Sequence, residues 1–251
     1  MADNVTYPDN RYSTEGNFDL QKDRASLDRL KKQSSFPPLF PDGKVYSSNN
    51  KLSDSALQSE VRSKFEEIQI SVFGRPDVLK LAACDGCEPN IEVGTLTVYI
   101  DPAWIMSVLS DSRYKTPMTV IQFALAHEIS HYVYESEIAN SSHHASPNGQ
   151  QSYFFVRLHN EEFVRSLFAK PDGLEKANLL REVILEETSR HAEIDSIAKV
   201  LLDDLGVKNQ CDVVMWLRSW TTVPEDLEKT VGGAAFSRIN SFKNLIGSSC
   251  P

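Results

Sequence analysis

His127 and His131 stand four residues apart, with Glu128 directly after the first, in the stretch FALAHEISHY from Phe123 to Tyr132. In a helix, residues i and i+4 project from one face, one turn apart, so both imidazoles can reach one ion. Glu128 is turned about 100° from His127 and comes to the edge of the same cleft. Neutral imidazoles suit zinc, and a carboxylate at that place can take a proton from a zinc-activated water. The other reading is a surface helix with unrelated histidines. It conflicts with the apolar neighbours, because two buried imidazoles without partners are costly. The pattern points to one Zn2+ per chain, with His127 and His131 as ligands and Glu128 as general base.

A catalytic zinc needs a third protein ligand. The elongated motif HExxHxxGxxH requires Gly at position 134 and His at 137, where this chain has Tyr134 and Glu137. The ligand must therefore come from elsewhere. Downstream, Ala177, Leu180, Ile184, Glu187, His191, Ile194, Ala198, Leu201 and Leu205 recur in steps of three and four, and so share one helix face. Glu187 and His191 interrupt this apolar stripe one turn apart, and polar groups aimed at a core need partners. His191 is the first choice as third ligand and Glu187 the second. Asp195, a further turn along, is placed to accept the free ring N–H of a ligand histidine and fix its tautomer. The plainer reading is a buried His–Glu contact without metal. A developing oxyanion needs a stabiliser besides the metal. Candidates are His143, His144, His159, Tyr132, Tyr134 and Arg238, and the residues alone do not rank them. His143 and His144 otherwise read as exposed histidines of a polar loop.

Several elements must position these groups. Ile91 to Ile100, IEVGTLTVYI, alternates β-branched and aromatic residues and predicts a strand. Asp101 and Pro102 then open a helix as N-cap and first position, and Thr116 and Pro117 repeat that signal before the histidine helix. Helical spacing also marks 53–70, 153–168 and a long run after Pro171-Asp172-Gly173 to Leu205, with Gly206 as a stop. Two further helical stretches fall within 211–248, and residues 138–152 read as a loop. Mostly helices with a small sheet ahead of the histidine helix make the fold class α+β. Residues 1–50 are polar and carry FPPLFPDG at 36–43, which reads as an arm, partly disordered or docked through Phe36, Leu39 and Phe40. Residues 51–251 then form the main domain.

The formal net charge of −9, with no compensating Lys/Arg run, argues against a nucleic-acid binder and against anionic membranes. No apolar stretch reaches the ~18–20 residues of a membrane span. The N-terminal residues carry neither a basic start nor an apolar segment, so a cytoplasmic location is expected. Cys84 and Cys87 make a CDGC pair without a second ligand pair of that spacing, and read as reduced thiols in a Gly-containing turn rather than a zinc site or redox pair. Nothing in the residues specifies an oligomeric state.

The order of a strand ending in Tyr99-Ile100, a capped helix from Asp101 to Leu109, a loop and an Ala-His-Glu-x-x-His helix resembles the M48-type (Ste24/HtpX-like) zinc metallopeptidases. HAEIDSIAKVLLDDLG at 191–206 is similar to that family's second signature, with Asp195, Ala198 and Gly206 in register and Ser237-Arg238-Ile239 near its closing pair. The resemblance implies a zincin-like (gluzincin-like) fold and endopeptidase chemistry. It also marks a departure, since the family's ligand glutamate falls on His191 and its membrane helices have no counterpart, which implies a soluble, divergent member. The expected function is zinc-dependent hydrolysis of peptide bonds in a protein or peptide substrate. Alternatives are a non-peptidase zinc hydrolase, a catalytically weak or inactive binding or regulatory module on the same fold, and a helical interaction protein without metal.

Overall fold

The computed structural model describes residues 19–37, 56–140, 169–220, 234–247 and 250. Their order is α1 (Leu20–Lys31), α2 (Ala56–Phe73), β1 (Lys80–Ala83), β2 (Asn90–Glu92), β3 (Thr97–Ile100), α3 (Pro102–Ser110), α4 (Pro117–Asn140), α5 (Leu174–Asp204), α6 (Cys211–Trp220) and α7 (Ala234–Ile246). The class is mixed α+β, mostly helical, with one three-stranded sheet among the described residues.

Helix α4 is apolar around most of its girth. Val120, Phe123, Leu125, Ile129 and Val133 are all fully buried, so no single stripe faces the core. A helix of this kind must be walled on several sides. Here α5 runs against it, and α2, α3, α6 and the sheet supply the other walls. Its start is fixed from a distance. The Thr116 backbone N–H and hydroxyl both donate to the buried Asp212 carboxylate on α6, at 2.5 and 2.8 Å. Helix α3 begins as its residues dictate, with Asp101 accepting from the Ala103 N–H at 2.7 Å and Pro102 in the first position. Helix α5 ends where Gly206 takes φ +69°, a left-handed value that glycine adopts at little cost.

The segment 91–100 is not one strand. It folds back on itself, β2 pairing antiparallel to β3 with Ile91 opposite Val98. Gly94 and Thr95 fall in the turn between them, and Leu96 takes φ +54° there. β1, which lacks a clear pattern in the sequence, adds to the other edge of β3 in parallel. Part of the polar N-terminal stretch is described as well. Residues 20–31 form α1, Asp19 capping it through the Gln21 and Lys22 N–H groups at 3.1 and 3.0 Å. Leu27, Leu30 and Phe36 are buried, so the described part of residues 1–50 is docked.

The cysteines depart from the expectation of reduced thiols. Cys84 pairs with Cys87 and Cys211 with Cys250, each as a disulfide. The Cys211–Cys250 bridge ties the chain's end to the first turn of α6, with Cα atoms 5.3 Å apart. The expected helix at 153–168 lies outside the described residues. No helix among the described residues is long and apolar enough to cross a membrane.

Candidate metal centre

Helices α4 and α5 bring three imidazoles together. His127 and His131 come from α4 and His191 from α5, and one ligand atom from each lies within 4.8 Å of the other two. His127 and His191 have parallel rings 5.4 Å apart, while His131 stands nearly perpendicular to both, at 4.9 and 5.3 Å. His127 and His131 are buried and His191 is half-buried. Zinc bonds to nitrogen are about 2.0–2.1 Å, which spaces tetrahedral donors roughly 3.4 Å apart, so closing on an ion needs side-chain movements of about an ångström.

His127 is held from two directions. Its Nδ1 lies 2.8 Å from Asp195 Oδ1, and both side chains are almost completely buried. An ionised carboxylate only accepts, so Nδ1 carries the ring proton and Nε2 keeps the lone pair a metal uses. Behind the ring sits Phe123, one turn earlier on α4, with centroids 6.0 Å apart. Phe123 in turn packs edge-on against Trp216 of α6 and Phe242 of α7, at 5.9 and 5.0 Å. The imidazole therefore stands on a rigid aromatic floor supplied by three helices.

The donor set fits a divalent transition metal. Three neutral imidazoles with one of them oriented by a carboxylate is a combination common to zinc sites. Glu128 follows His127 on α4 and is buried. Glu135, two turns further along α4, is a second buried acid, which the histidine motif does not single out. The spacing of seven from Glu128 is the signal that could have found it.

Most of the remaining candidates lie outside the described residues, wholly or in their side chains. Glu187 lies on α5 one turn before His191, and its side chain lies outside the described residues. Arg238 lies on α7, again with its side chain outside them, and His143, His144 and His159 fall outside them altogether. Tyr134 is half-buried on α4. The Tyr132 hydroxyl donates to the Pro37 carbonyl at 3.0 Å. Burial pushes that phenol above its ordinary pKa, with a hydrogen bond to Ser136 opposing the shift.

No family model matches this chain, and no curated protein and no solved structure matches it. The Ste24/HtpX-like resemblance rests on the motif residues themselves.

Proposed function

We propose that this chain is a zinc-dependent endopeptidase on a zincin-like fold, with His127, His131 and His191 as the metal ligands and Glu128 as general base. The observation that supports it most is the convergence of three imidazoles from two helices far apart in sequence, next to a buried glutamate.

Bound zinc supplies Lewis acidity, which brings proton loss from a water close to neutral pH. The protein supplies the rest. Asp195 fixes the tautomer and orientation of His127, so that Nε2 is presented to the ion without searching rotamers. Glu128 is the group that accepts a proton from water and returns it to the leaving amine of a cleaved peptide bond. The small sheet β1–β3 precedes the histidine helix in the chain.

The test compares wild-type protein with Glu128→Gln. Wild type should bind one zinc and hydrolyse casein or a peptide library, and the variant should retain zinc and lose hydrolysis by about a hundredfold or more. Stoichiometric zinc with no cleavage of any substrate by wild type would replace the endopeptidase reading with that of a metal-holding binding module. Absence of zinc binding would remove both.

A further inference from the structure

The N-terminal segment 19–37 touches both helices that carry the metal cluster, and it does so through polar ties as well as apolar packing. On α4, the Arg29 guanidinium donates to both carboxylate oxygens of Glu137, at 2.6 and 3.2 Å. The Tyr132 hydroxyl, on the residue after His131, donates to the Pro37 carbonyl. On α5, the Ser196 hydroxyl, on the residue after Asp195, donates to Asp23 at 2.6 Å, and Arg24 pairs with Asp204 at 2.7 Å. Between the ties, Leu27, Leu30 and Phe36 are buried, and Phe73 meets the rings of Phe36 and Tyr132 edge to face at 4.9 and 5.7 Å.

We propose that segment 19–37 is an intramolecular brace that sets the register of α4 against α5, and so positions His127 and His131 opposite His191. The inference rests on the metal-site reading and extends it to residues outside the ligand set. The physical reason is directional. Apolar packing between two helices is non-directional and tolerates small slides and rotations. A ligand set tolerates only about 0.5 Å of misplacement. Hydrogen bonds and ion pairs fix angle and distance. Two of these ties grip the residue next to a ligand or to its orienting carboxylate, where a helix rotation is felt most. Arg24, Arg29 and Tyr132 are thus positioning residues; none is placed to touch the ion.

The test uses the full chain carrying Arg24→Ala, Arg29→Ala and Tyr132→Phe together. Zinc affinity is measured by competition with a chromophoric chelator, and the visible spectrum of the Co2+-loaded protein reports ligand geometry. The triple variant should bind zinc about tenfold more weakly, in the range seen when groups supporting metal ligands are lost, and its Co2+ spectrum should shift. Arg113→Ala, which removes contacts with its sequence neighbours Asp111 and Tyr114, should change neither. Tyr132→Phe alone keeps the ring in its packing and should move both readouts in the same direction by less, so the test survives misfolding of the triple variant. If the folded variants match wild type in affinity and spectrum, the brace is refuted while the metal site stands. If wild type itself binds neither ion, the metal-site reading fails and the brace fails with it.

Discussion

Two buried aspartates grip α4 from later helices. Asp212 of α6 holds its start, taking the backbone N–H and the hydroxyl of Thr116. Asp195 of α5 holds its middle, meeting Nδ1 of His127. Both are about equally buried. They differ in what lies on the far side of the donor. Behind Thr116 stands the first turn of a helix, so the Asp212 carboxylate satisfies an N-terminus. Behind His127 Nδ1 there is a second ring nitrogen and two more imidazoles. The carboxylate therefore fixes the direction of a group that can act on something else. Burial is the same in the two cases; what separates the two carboxylates is the donor each one meets, a helix start for Asp212 and an imidazole of the histidine cluster for Asp195.

Removing each aspartate should separate these roles. Asp195→Ala should weaken zinc binding about 10–100-fold, or roughly 1.4–2.7 kcal/mol, because His127 loses the partner that fixes its tautomer. Chelator competition measures the change. Asp212→Ala should leave zinc affinity within about twofold of wild type and lower folding stability by about 1–3 kcal/mol, since two donors at the start of α4 lose their acceptor. Denaturant unfolding of the metal-free protein measures that loss. The comparison breaks if the effects exchange, with Asp212→Ala losing zinc and Asp195→Ala losing only stability.

The parts of this arrangement that follow a local period are legible in the residues. A spacing of four puts His127 and His131 on one face of α4, and Glu187 and His191 are visible on α5 because they interrupt a stripe stepped by three and four. Caps are legible for the same reason, since Asp101-Pro102 and Gly206 act within one turn of where they stand. Features that depend on distant partners are not. IEVGTLTVYI reads as a continuous strand because its apolar alternation outweighs a single Gly94-Thr95 turn signal, and only pairing reveals the hairpin. Helix α1 buries a narrow strip of Ser26, Leu27 and Leu30 among charged residues, too little to stand out before α4 and α5 are in place. Cys211 and Cys250 meet across 39 positions, and no local rule announces that approach.

A third aspartate sharpens the contrast between the first two. Asp23 of α1 accepts from Ser196 beside the site, but it is only partly buried. Desolvation pushes its pKa above the ordinary carboxylate value. The Ser196 hydrogen bond and Lys22 oppose the rise, and Glu193 and Asp19 add to it. A carboxyl with a raised pKa binds more protons folded than unfolded. Its contribution to stability is therefore most favourable below the unfolded pKa and is lost as pH rises through the folded one, remaining constant beyond it. Asp23→Asn removes that titration and keeps an oxygen that can accept from Ser196. The variant should gain stability relative to wild type as pH rises from about 3 through the carboxylate range, and the gap should then stay level toward about pH 7. Melting temperatures of both proteins across that range measure the gap. A gap that narrows with rising pH would mean that ionised Asp23 is a net stabilising acceptor, and that partial burial does not set it apart from Asp212.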